Sequence, residues 1–476
     1  RPLHPPIMNE ARAARAPSFL VKSTKKFMRI QRKTLCLLIV LGLSYSVSAQ
    51  AQSLLDAAQS ALAHDARWQA QTLATQAAAH RSAQGRALLL PQIGLQAGTQ
   101  HSDSEVRLST PQGQQTHHLP AWERSAGIAL SQPLYRPANL AQYRQGQHAL
   151  ELAQAQEAAA GQSLLLQVAQ AYVNVLQAHD VLQVQTTLRR TVTEQAALAQ
   201  RNFDVGLVTI TDVREAQARL DAVQAQWLAA RNEVDMHTLA LQKLTGWAAP
   251  QPWRLPPTAT LPTVTSQQRD AWLADLPSTH PVLRQAEKAR TVAQLEVTKA
   301  QAGHLPTVDL QASYGQQRNP DGSLTQALPH RTTVGTIGVS LQLPLFAGFA
   351  TQNRLREATT LAAKAQADYE EAQRSLELAV RQAFLGWQSA QEQSAALATA
   401  VTSATTALQA TQTGYAVGVR INADVLAAQT QAANAQKDWL QARYRVVLGY
   451  LQLRHAAGML NLDDLGQVSA LFAAAG

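Results

Sequence analysis

Two acidic residues hold matched places in this sequence. Asp212 lies six residues after Gly206, and Asp424 lies six residues after Gly418. Each glycine follows a long Ala/Gln-rich stretch with helical apolar spacing, so it reads as the left-handed residue that closes a helix. Each aspartate then falls in the first turn of the next helix, where a carboxylate is worth about 0.3–1 kcal/mol. Thr209, Thr211 or Asn422 can cap those helices. Nothing more reactive stands out. The histidines, His117-His118 included, lack metal-ligand spacing. No nucleophile–base pair, phosphate loop or zinc signature is present, so no catalytic residue, cofactor or metal is expected.

The elements that carry these turns are long. From about residue 139 to 203 there is no proline, and at about 1.5 Å per residue such a helix approaches 100 Å. It returns along Val213, Ala216, Leu220, Val223, Trp227, Ala230, Val234 and Leu241, a spacing of coiled-coil type. Upstream, a helix over 53–88 stops at Leu90-Pro91. Period-two runs at about 92–100 and 125–135 follow, read as strands around a polar loop over 100–123.

The scheme then repeats. Gly206, Asp212, Tyr172, Trp227 and Gly246 recur 212 residues later as Gly418, Asp424, Phe384, Trp439 and Gly458. The chain therefore divides into a first repeat over 50–247 with its hairpin tip at about 204–212, a proline-rich connection over 248–279, and a second repeat over 280–458. The second repeat has strands at about 307–314 and 333–346, a polar loop over 317–331 and a tip at about 414–424. Residues 459–476 form a tail. A tandem duplication accounts for the length without separate domains. Trp227 and Trp439 read as packing residues.

The formal charge of +9 is concentrated at one end. Residues 1–49 hold nine Lys and Arg against Glu10 alone, which leaves +1 for the rest and little support for a nucleic-acid partner. This leader reads as a secretory signal: a basic region over 25–33, an apolar run over 35–43 and small-x-small sites at 47–49 and 49–51. Cleavage near 49–51 would remove Cys36, the one cysteine, and translation would start at Met8 or Met28.

Four strands of about ten residues match the length needed to cross an outer membrane as a tilted barrel. A four-stranded sheet leaves open edges that hydrocarbon cannot satisfy, so several chains must close one barrel. Three chains give twelve strands, wide enough for a lumen, and two give eight, which side chains usually fill. The helices then project into the periplasm, with Gly206 and Gly418 at the far tips. A non-pore periplasmic coiled-coil scaffold is the rival reading, and the alternating strands speak against it.

The paired turns Val205-Gly206-Leu207-Val208-Thr209-Ile210-Thr211-Asp212-Val213 and Gly414-Tyr415-Ala416-Val417-Gly418-Val419-Arg420, with Leu89-Leu90-Pro91-Gln92 and Leu343-Pro344-Leu345-Phe346-Ala347-Gly348, resemble the TolC family of outer-membrane export channels. The likeness extends over everything after the signal peptide. It implies a mainly α fold with a membrane β-barrel: a homotrimer with a twelve-stranded barrel continued by a periplasmic α-helical tunnel. It also implies a periplasmic adaptor, an inner-membrane transporter of ABC type and an exported cargo as partners, with outer-membrane lipid around the barrel. By the same resemblance, Asp212 and Thr211 would face Tyr415 and Arg420 across a closed gate, with Gln195 a further partner of Tyr415. Asp424 would ring the constriction. A second acidic ring one turn on, known in the family, is replaced here by Ala427. The nearest look is to the type I secretion branch, which exports hemolysin- or cyclolysin-like protein toxins; efflux of drugs is the alternative.

Overall fold

The computed structural model describes residues 52–111, 113–250, 252–323 and 328–472. The leader and its cleavage sites lie outside the described residues.

The stretch expected as one helix over 53–88 is two, α1 (Leu54–His64) and α2 (Ala66–Ala87). Asp65 divides them: it is extended at φ −66° and ψ 120°, and its carboxylate accepts the Trp68 amide N–H at 2.8 Å. Aspartate competes for backbone amides in this way, which favours a cap over a helix interior. β1 (Gln92–Thr110) and β2 (Gly113–Tyr135) follow as an antiparallel hairpin. Pro137 opens α3 (Pro137–Asp204), where a missing N–H costs nothing, and α4 (Ile210–Thr245) returns beside it. The order is then repeated. α5 (Ser266–Thr279) and α6 (Pro281–Gln301) lead to β3 (Thr307–Asn319) and β4 (His330–Gln342). α7 (Ala350–Ala416) and α8 (Asn422–Ala456) form the second helix hairpin, and α9 (Leu462–Ser469) follows. α3 has 68 residues and α7 has 67, so the duplication is carried in length as well as order.

Several strand boundaries differ from the sequence expectation; β3 runs on to Asn319 and β4 begins at His330, so the loop expected over 317–331 is shorter. The polar stretch over 100–123 continues the ladder from Gln100↔Glu123 to Thr110↔Gly113, so the first hairpin outruns β3 and β4 as a two-stranded ribbon. Its polar composition carries no apolar alternation, and the period-two signal ends before the strand does. β4, expected to reach 346, stops at Gln342 because Pro344 has no amide proton to donate.

The four strands form one antiparallel sheet in the order β1-β2-β3-β4. Its register sorts the side chains onto two faces. Ile93 pairs with Leu130, Leu95 with Ile128, Ile128 with Tyr314, Leu310 with Val339, and Val308 with Leu341. All of these lie on one face, and Ile93, Leu95, Tyr314, Val339 and Leu341 are each exposed by more than 60%. The other face carries Gln96, Gly127, Ser131, Gln311, Ser313 and Thr336. An apolar face bare of protein, backed by a polar one, is the pattern of a barrel wall with lipid outside and water inside.

Below the sheet, Arg136 ties the head of α3 to β3. Its guanidinium donates to both oxygens of the buried Asp309 at 2.8 and 2.6 Å. The largest core lies about midway along the long helices, where α1, α9 and the connection after α4 wrap α3 and α8. Tyr172 at its centre is fully buried. Its hydroxyl donates to the Gln52 carbonyl at 2.8 Å and accepts the Trp253 amide at 2.8 Å, which fastens both wrapping segments to α3. The repeat partner of Tyr172, Phe384, packs in a second core with Val380, Trp387, Val446 and Leu453. Trp227 is half-buried; its indole N–H donates to Thr186 and Arg189 stacks over it at 4.1 Å.

Candidate functional site

The tips of the two helix hairpins share one turn. At the first, Gly206 takes φ 76°, its N–H reaches the Phe203 carbonyl at 2.9 Å, and Leu207 N–H reaches back to Asn202 at 2.8 Å. At the second, Gly418 takes φ 80°, its N–H reaches Tyr415 at 3.0 Å, and Val419 N–H reaches Gly414 at 2.8 Å. This is the six-to-one bond of a Schellman ending, and only glycine enters that left-handed region without steric cost.

After the turn the copies diverge. In the first, Thr209 rather than Thr211 caps α4, and it forms a reciprocal box with Asp212. The Asp212 N–H donates to Thr209 Oγ1 at 3.3 Å, and Asp212 Oδ2 accepts from Thr209 N and Oγ1 at 2.9 and 2.7 Å. Those bonds from Thr209 hold the Asp212 carboxyl below its usual range. In the second copy the capping position is Ile421, which has no side-chain acceptor. Asp424, with no hydroxyl to receive it, lies 3.5 Å from Arg420 instead. The two carboxylates therefore share a sequence position and differ in chemistry: one is committed to its own backbone, the other to a releasable ion pair. Asn422, expected as a possible cap, is buried with its amide nitrogen unpaired.

The remaining tip residues occupy different settings. Thr211 is exposed, Tyr415 is half-buried, and Gln195 is half-buried on α3 with its side-chain oxygen unpaired. Among the described residues of the single chain, no side-chain bond joins Thr211 or Asp212 to Tyr415 or Arg420. What links the hairpins nearby is an apolar cluster in which Leu426 of α8 meets Leu188, Val192, Ala216 and Val223, with the Arg219 guanidinium on Thr430. Sequence reading placed Gly414 in the turn motif without giving it a role. A Cβ there would stand 2.9 Å from Cγ of Arg420, so the glycine makes room for the arginine stem, and only the folded turn reveals that approach. No helix among the described residues is long and apolar enough to cross a membrane, and no group of His, Cys, Asp and Glu among them could hold a metal ion.

A sheet with a bare apolar face, continued by long helix hairpins, recurs in known proteins. The family described as outer membrane efflux protein matches residues 57–247 and 272–459. Outer membrane protein TolC of Vibrio cholerae is 33% identical over 393 residues, which cover 81% of this chain and 86% of that one. The proteases secretion protein PrtF of Dickeya chrysanthemi is 30% identical over 450 residues, covering 94% of this chain and 96% of that one. Among solved structures, the Campylobacter jejuni CmeC outer membrane channel superposes with a TM-score of 0.74 at 17% identity, over 88% of this chain and 89% of that one. Such proteins are outer-membrane transport channels of Gram-negative bacteria with a large periplasmic part, and they are not enzymes. The apolar sheet face, the duplicated hairpins and these likenesses together make the chain a member of the TolC family of outer-membrane efflux channels.

Proposed function

We propose that this channel works as a homotrimer in a type I secretion machine and exports a protein toxin of the hemolysin or cyclolysin kind. The observation that carries the trimer is the sheet itself: four strands with an apolar face, whose outer strands β1 and β4 have no partner on their far sides among the described residues. Unpaired edges in hydrocarbon are too costly to persist; copies joined β4 to β1 remove them, and three give twelve strands with a lumen where two would give eight, which side chains fill. The long hairpins then continue the barrel as a tunnel toward a periplasmic adaptor and an ABC-type inner-membrane transporter.

The type I assignment draws on PrtF, which is named for protease secretion and matches nearly end to end. In the closed tunnel, Asp212 and Thr211 meet Tyr415 and Arg420 across the tips, Gln195 supports Tyr415, and three Asp424 carboxylates ring the constriction. The exposed Arg420–Asp424 pair suits such a gate, because an exposed ion pair is worth only about 0.2–1 kcal/mol and can be exchanged.

The test is deletion of the gene, followed by parallel assay of toxin in the culture medium and of drug susceptibility. Loss of the toxin from the medium with unchanged susceptibility supports the reading. Heightened drug susceptibility with normal toxin export assigns the channel to efflux. Mass in detergent tests the trimer, and a monomer or dimer without bilayer currents overturns it.

A further inference from the structure

The connection after α4 crosses the long helices without filling the space beneath it. Two bonds pin it: the Trp253 N–H donates to the Tyr172 hydroxyl, and the Arg443 guanidinium reaches the Pro256 carbonyl. Opposite, α8 offers Ala432 and Ala433, whose side chains are too short to close the gap. A cavity of about 780 Å³ is left between α3, α7, α8 and the connection. Small-molecule sites span about 300–1,000 Å³, mostly apolar with a few placed polar groups. The apolar wall here is Leu188, Leu255, Leu408 and Leu440.

The polar groups of the wall differ in whether they are already engaged. Asp180 accepts the Tyr444 hydroxyl at 2.6 Å, and Arg254 donates to Gln183 at 3.4 Å. Gln429 is not engaged. It lines the cavity, is 4% exposed, and among the described residues neither its Oε1 nor its Nε2 has a partner. An amide closed off from water and unpaired within the protein costs free energy until something meets it. What it lacks is one donor and one acceptor, side by side on a neutral group.

We propose that this cavity is a binding site for a neutral, largely apolar small molecule that ends in a primary carboxamide. With the Gln429 side chain rotated toward the cavity, the ligand N–H donates to Oε1 and the ligand carbonyl accepts from Nε2, the reciprocal pairing of two primary amides. The leucines then cover the apolar remainder. A charged ligand is disfavoured because the carboxylate and the guanidinium of the wall already have partners.

Titration calorimetry on the full-length channel in amphipol tests this with two probes, ω-phenylhexanamide and the methyl ketone in which CH₃ replaces its NH₂. The ketone keeps the shape and the carbonyl but would leave Gln429 Oε1 buried and unpaired, so the amide should bind about five- to a hundredfold tighter. Binding of neither probe overturns the proposal. Equal binding of both also overturns it, since the cavity would then take apolar molecules without reading the amide.

Gln429→Met, of similar length and without polar hydrogen or oxygen, should abolish the preference for the amide over the ketone. A preference that survives in this variant places the recognition elsewhere and refutes the assignment to Gln429. Circular dichroism verifies that the variant has folded, and the comparison of the two probes on the unaltered channel stands without it.

Discussion

Replacing Ile421 by Thr should convert the second hairpin tip into a copy of the first. Position 421 precedes α8, and Asp424 stands three residues on, where Asp212 stands relative to Thr209. A hydroxyl at 421 would accept the Asp424 N–H and draw its carboxylate back onto the backbone, away from Arg420. The gain from such a cap is about 1 kcal/mol. The ion pair given up has side chains 59% and 39% exposed and is worth about 0.3–0.5 kcal/mol. Ile421 is 62% exposed, so little packing is lost. The net gain of about 0.5–0.7 kcal/mol should slow amide exchange over residues 422–425 by about two- to threefold, read by mass spectrometry on the detergent-solubilised channel. Ile421→Val, which removes bulk without adding a hydroxyl acceptor, should give none of that gain. Unchanged or faster exchange in Ile421→Thr would refute the account of why the two tips differ.

Other outcomes concern the gate and the periplasmic core. Replacing Tyr415 and Arg420 together should loosen the closed tunnel and raise single-channel conductance in a planar bilayer; unchanged conductance counts against their assignment. Asp424→Ala should reduce cation preference, read as a shift of reversal potential under a salt gradient. His280 is 5% exposed beneath Gly458, and burial, aided by the neighbouring His455, pushes its imidazole down from 6.5 to about 4. A base held below its unfolded value contributes stability that is complete above about pH 6.5 and is lost as pH falls toward 4, up to about 3 kcal/mol. His280→Gln should flatten that part of the curve in a thermal melt, whereas an equally steep decline would place its origin elsewhere.

What the sequence made legible follows from how local each signal is. Gly206 and Gly418 announce their turns because the left-handed conformation selects for glycine at a single position, and the 212-residue repeat doubles the signal. The choice of Thr209 over Thr211 as cap was not legible, since both precede an apolar periodic run and the outcome depends on which hydroxyl reaches the Asp212 amide. Asp65 was hidden inside an uninterrupted helical pattern. The role of Gly414 was not legible for another reason: that a Cβ there would stand 2.9 Å from Cγ of Arg420 is set by how the turn between them folds. The bonds expected from Asp212 and Arg420 across the tips are not formed among the described residues, where Asp212 binds Thr209 and Arg420 pairs with Asp424.

The ribbon formed by Gln100–Thr110 and Gly113–Glu123 rises beyond β3 and β4, held at its foot by the Trp122 amide on Asp321 and by Trp122 stacked near His101. Beyond Glu123 the ladder joins only β1 and β2, so the ribbon is held by fewer strands than the sheet below it. Loop tips of this kind accept inserted sequence readily. A short epitope inserted at the turn of this ribbon should leave the four-stranded sheet intact, since none of the β2–β3 or β3–β4 pairs involves that turn.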